Sequence, residues 1–134
     1  MERISGMGKR ENAVEALLAD LDEEKLWECV VAFQEYEFRT YSGLPFSYTL
    51  KKGRNGTYTK ELFIDRRENS KSLAWSSVLL AFRNTQPKRV VERPKALGDI
   101  RGVTYIYGMF FRFGLIDVPE DVKEKMKSGQ ETEE

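Results

Sequence analysis

Along the first third of the chain, apolar residues recur at helical spacing. Val14, Leu17, Leu18 and Leu21 fall on one face, and a second run of Leu26, Cys29, Val30, Phe33 and Tyr36 extends the pattern to about Phe38. Asn12 suits the cap of the first run, and Asp20 followed by Glu23 marks a break near residues 20–22. The helical period then gives way to alternation. Phe46, Tyr48 and Leu50 alternate with Ser47, Thr49 and Lys51, and residues 57–64 are rich in β-branched and aromatic side chains. Between them lies Gly53-Arg54-Asn55-Gly56. Asn-Gly is a strong hairpin signal, because a type I′ turn needs positive φ at both central positions. A turn at Asn55-Gly56 sets Tyr48 opposite Phe63, and one at Arg54-Asn55 sets Phe46 opposite Phe63. Either register leaves Phe46, Tyr48, Leu50 and Phe63 on one face.

Beyond the hairpin the apolar period is helical again. Ser70 or Ser72 suits the cap of a helix from Leu73 to about Arg83, with Trp75, Val78, Leu79 and Phe82 on its inner face. Residues 84–94, with two prolines, read as a connector. From Lys95 a stripe of Leu97, Ile100, Val103, Tyr107 and Phe110 predicts a further helix, in which Gly98 and Gly102 leave room for a close neighbour. Gly114 reads as its terminating residue, with Leu115 turned back on Phe110. A short last helix is expected from near Pro119 to near Lys127.

These elements make a single α+β domain over residues 12–127, with helices packed on a two-stranded, or three-stranded, antiparallel sheet. Residues 1–11 read as a flexible lead-in and 128–134 as an acidic disordered tail. The expected core is Leu17, Leu26, Val30, Phe33, Tyr48, Leu50, Phe63, Trp75, Val78, Phe82, Ile100, Val103, Tyr107 and Phe110.

Composition narrows the chemistry. The 134 residues contain no histidine and one cysteine. The commonest general base and zinc ligand is therefore missing, and neither an internal disulfide nor a thiolate metal site can form. Phosphate-loop, dinucleotide and nucleophile-elbow motifs are absent as well. The expectation is a non-enzymatic protein without cofactor or metal. Cys29, inside an apolar stripe, reads as a small buried hydrophobe. The absence of a long apolar run points away from a membrane partner and toward a cytoplasmic protein.

Twenty-two basic residues balance twenty-two acidic ones. The balance hides a sharp segregation. Residues 1–38 carry 4 basic and 10 acidic side chains, residues 39–112 carry 15 and 5, and residues 113–134 carry 3 and 7. An acidic, basic, acidic order of this kind points to a polyanionic partner or to pairing between segments. The most suggestive constellation is the hairpin tip, Lys51, Lys52, Arg54 and Lys60, followed by Arg66, Arg67 and Lys71. Such a basic hairpin can run along a DNA or RNA backbone, neutralising phosphates and releasing counterions. The alternative is a protein partner, an inhibitor or adaptor surface built from the acidic face Glu24, Glu28, Glu35 and Glu37 of a helix over residues 23–37. Glu61, Asp65 and Glu68 form the nearest thing to a cation site, although the first two are spaced too far along one strand to share an ion.

Ser70-Lys71-Ser72-Leu73-Ala74-Trp75-Ser76-Ser77-Val78 is similar to the second helix of a helix-turn-helix, but a hairpin precedes it here in place of the first helix and turn. Over residues 41–115, the stretches YSGLPFSY, ELFIDRRENSKS and TYIYGMFFRFGLI resemble a group of short uncharacterised bacterial proteins often encoded on phages and mobile elements. The resemblance implies a compact α+β domain of bacterial or phage origin. It implies no activity and no site residues.

Overall fold

The structure, a computed structural model, describes residues 5–65, 70–85 and 89–127. The chain divides into two compact units, residues 1–34 and 35–134.

The first unit is a pair of helices, α1 (Ser5–Ala19) and α2 (Glu23–Ala32). Helix α1 begins ahead of Asn12, so that residue lies inside the helix rather than at its cap. The break between the helices falls where the aspartates place it. The cap, however, is Asp22, whose carboxylate accepts from the Lys25 N–H at 3.3 Å, rather than Asp20. Arg10 fastens the pair. Its guanidinium donates to the carbonyls of Ala32 and Gln34 at 3.0 and 3.1 Å and lies over the Phe33 ring, satisfying carbonyls that a helix C-terminus leaves without partners. Leu17, Leu26, Cys29, Val30 and Phe33 are buried, while Leu18 and Leu21, expected on the same stripe, are about two-fifths exposed.

Helix α2 stops at Ala32, well short of Phe38. Glu35 adopts a left-handed conformation (φ 69°), and from there burial alternates through Tyr36, Phe38 and Thr40. An alternating pattern cannot continue a helix.

The second unit is built on a four-stranded antiparallel sheet, in the order β1 (Phe38–Arg39), β2 (Pro45–Lys52), β3 (Tyr58–Asp65) and β4 (Ser70–Ala74). The α+β class is as expected, with a larger sheet. The hairpin register differs. Tyr48 pairs with Ile64, Leu50 with Leu62 and Thr49 with Phe63. The cause lies in the turn. Gly53 N–H bonds to Thr57 O, and Gly56 N–H to Gly53 O, enclosing three loop residues, with only Gly56 at positive φ (85°). A three-residue loop closed by a left-handed glycine has the opposite parity to the two-residue type I′ turn, and one residue of slip moves every side chain to the other face. Phe63 therefore leaves the core face, and Leu62 and Ile64 take its place. A register irregularity between Leu50 and Lys52 moves the pairing by two more residues without changing the faces.

Residues 70–74 form β4 rather than the start of a helix, pairing Leu73 with Leu62 and Lys71 with Ile64. Helix α3 (Trp75–Asn84) follows directly. The stretch similar to a reading helix is thus half strand and half helix. The stripe from Lys95 is also interrupted. A single 3₁₀ turn, Pro94–Leu97, precedes α4 (Val103–Phe113), and Gly98 and Gly102 are positive-φ residues in the connection between them. Helix α4 ends as the glycine predicts. Gly114 is left-handed, and Leu115 N–H bonds to Phe110 O at 2.9 Å. Helix α5 (Glu120–Met126) matches the expected last helix. The acidic tail lies outside the described residues.

The inner sheet face packs its aromatics in register. Phe38 stacks on Phe46 and Tyr48 at 5.3 and 5.7 Å and meets Phe113 of α4 edge-on, while Phe46 meets Tyr105 edge-on. The connector is anchored to this helix. Tyr107, fully buried, donates its hydroxyl to the Val91 carbonyl, and Val91 N–H bonds to Asp117 O. Of the expected core, Phe63, Trp75 and Phe82 are only half-buried, and the rest are buried. Among the described residues, no helix is long and apolar enough to cross a membrane.

Candidate nucleic-acid interface

The hairpin tip is built by local rules. Asn55 accepts from Thr57 N–H and Oγ1 at 3.2 and 2.7 Å, fixing the loop, and Thr59 Oγ1 donates to Lys51 O at 3.1 Å across the irregular part of the ladder. This places Lys51 and Lys52 at the end of β2, Arg54 in the turn and Lys60 near the start of β3, all four exposed. Among the described residues, Lys51, Lys52 and Arg54 form no ion pair. The sequence accounts for part of this, since residues 38–60 contain neither aspartate nor glutamate.

Aromatic rings lie beneath these cations. Lys51 Nζ sits 4.6 Å from the centre of the Phe63 ring, Lys52 Nζ 5.6 Å from Tyr58, and Lys60 Nζ 5.6 Å from Trp75. All three rings are half-buried. Sequence reasoning missed this arrangement. It depends on the register that sets Tyr58 opposite Lys52 and Phe63 opposite Thr49, and on Trp75 opening α3.

The other expected bases do not join the tip. Lys71 lies in β4 opposite Ile64, four residues along β3 from Lys60, or about 13 Å at ~3.3 Å per residue. Arg66 and Arg67 lie outside the described residues, as does Glu68. Glu61 pairs with Ala74 and Asp65 with Ser70, so these two carboxylates stand about 13 Å apart along the strand, too far to share a cation. Among the described residues no group of three or more acidic or cysteine side chains is placed to hold a metal ion.

The acidic face is divided too. Glu24 and Glu28 are exposed on α2, whereas Glu35 and Glu37 lie beyond the end of that helix, so the four do not share a helical face. Glu35 N–H bonds to Tyr48 O, and the Glu37 carboxylate pairs with Arg39 at 3.0 Å.

A cleft of about 800 Å³ also opens in the second unit. It is bounded by Leu44 and Phe46, by Leu73 of β4, and by Ile100, Arg101 and Tyr105 around the start of α4. Buried Thr40 on its wall is already bonded, its Oγ1 accepting from Leu44 N–H at 3.0 Å.

No family model matches the chain, and no curated protein or solved structure matches it either.

Proposed function

We propose that this is a small non-enzymatic nucleic-acid-binding or regulatory protein of bacterial or phage type, whose hairpin tip contacts the phosphate backbone. One observation carries the reading. The fold gathers Lys51, Lys52 and Arg54 with Lys60 on one exposed tip, and the first three have no ion pair among the described residues. Like charges held together repel one another, and a polyanion would relieve that repulsion while releasing its own counterions. Backbone contact of this kind fixes position without reading sequence.

The test is a fluorescence-anisotropy titration against mixed-sequence DNA and RNA over a range of salt. If four cations reach phosphates, log K falls with log salt at a slope of about −3 to −4. The double substitution Lys51→Glu/Lys52→Glu should weaken binding to all sequences alike and flatten the slope. Absence of binding at low salt, or binding indifferent to the charge reversal, would overturn the proposal.

A further inference from the structure

We infer that the nucleic acid taken by this tip is single-stranded, with unstacked bases resting on Tyr58, Phe63 and Trp75; this rests on the phosphate-binding reading above. Four exposed cations would suffice for any polyanion, so they do not distinguish a duplex from a single strand. The rings do. Each tip lysine is held over an aromatic ring, at 4.6 Å for Lys51 on Phe63 and 5.6 Å for Lys52 on Tyr58 and Lys60 on Trp75. Each of the three rings thus has a cation over it, so that a phosphate drawing the lysine aside would bring its neighbouring base to the ring, the pairing of charge and stacking that single-strand sites use.

In a duplex, the base faces are already stacked and only edges and backbone are accessible, so the rings would contribute nothing. The placement of the rings favours a flexible strand as well. Phe63 and Lys51 share the outer face of the hairpin, as the Thr49–Phe63 pairing requires. Lys52, the next residue along β2, points to the other face, together with Tyr58 opposite it. A single strand can pass across the tip and use both faces, while a stiff duplex can lie against only one. A sequence-tolerant interaction follows, since every base has a face to stack.

The test uses the full chain with three labelled probes, oligothymidine, oligouridine and a DNA duplex of matched length, followed by anisotropy at low salt. Emission from Trp75 is read in a Trp27→Phe background. Single strands should bind about tenfold or more tightly than the duplex and quench Trp75. Tyr58→Thr, at the end of the hairpin, should weaken single-strand binding by roughly fivefold or more and leave duplex binding unchanged. Duplex binding equal to or tighter than single-strand binding, or single-strand binding insensitive to Tyr58→Thr with no Trp75 quenching, overturns the inference and leaves backbone binding standing. Failure of all three probes to bind overturns both.

Discussion

Gly108 sits in the middle of α4, where two opposing effects can be weighed. Alanine is the better helix former by about 1 kcal/mol, so on helix propensity alone Gly108→Ala should stabilise the protein. The surroundings argue the other way. A Cβ at residue 108 would lie 2.6 Å from the Arg39 carbonyl oxygen and 3.1 and 3.3 Å from two carbons of the Phe46 ring. The nearest obstacle is main chain of β1, which cannot rotate aside as a side-chain tip can. The strand and helix must separate, and the aromatic contacts of Phe38 and Phe46 with α4 loosen with them. Overpacking costs about 1–3 kcal/mol, and a backbone obstacle places this case at the upper end. Subtracting the propensity gain leaves a loss of about 2 kcal/mol, which for a unit of this size lowers Tm by roughly 10 °C. Thermal and urea unfolding followed by far-UV circular dichroism measures it. Gly8→Ala is the control, since Gly8 also lies inside a helix and a Cβ there meets nothing within 4 Å. It should be neutral to stabilising by up to about 1 kcal/mol. A Gly108→Ala protein as stable as the parent would refute the reasoning.

Further expectations follow from the anchors and turns. Tyr107→Phe leaves the Val91 carbonyl without its buried donor and should cost about 1–3 kcal/mol in urea unfolding. Burial, with a smaller contribution from Tyr41, pushes the Tyr107 hydroxyl well above its ordinary range. The unfolded chain ionises near pH 10 while the folded one holds its proton, so stability is intact below that pH and falls above it, by roughly 1.4 kcal/mol per pH unit. Melting curves between pH 8 and 11 should show that alkaline loss in the parent, and Tyr107→Phe should make it less steep. Gly56→Ala places a Cβ in open space but at φ 85°, so backbone strain alone should cost about 1 kcal/mol, and Gly56→Asn should cost less. Gly102→Ala combines φ 80° with a Cβ only 2.5 Å from Leu73 Cδ1, and should lower Tm more than Gly56→Ala does.

The fold was legible wherever one residue decides one event. Asn55-Gly56 announced the hairpin, Gly114 ended α4, and the aspartates between residues 20 and 22 separated the first two helices. What stayed hidden was parity. Asn-Gly fits both a two-residue and a three-residue loop, and that difference of one residue moved Phe63 from the inner face to the outer. Two of the strands were hidden for a related reason. Tyr36, three residues beyond Phe33, extends the helical stripe as readily as it opens an alternating one, and Ser72 before Leu73 looks like a helix cap until β3 offers Leu62 as a partner. At the candidate site the charges were readable from the missing carboxylates of residues 38–60. The rings beneath them were not, because Tyr58, Phe63 and Trp75 meet their lysines only through the final register.

The sheet order also bears on how the second unit folds. Every strand pairs with the next one along the chain, so each ladder closes a short loop and little chain entropy is lost before contacts form. The contact between β1 and α4 is different, joining Phe38 to Phe113 across most of the unit. Closing that long loop costs more chain entropy than closing a hairpin, so it is expected after the hairpins have formed. Substitutions where β1 meets α4 should therefore act mainly on the unfolding rate, leaving the folding rate nearly unchanged.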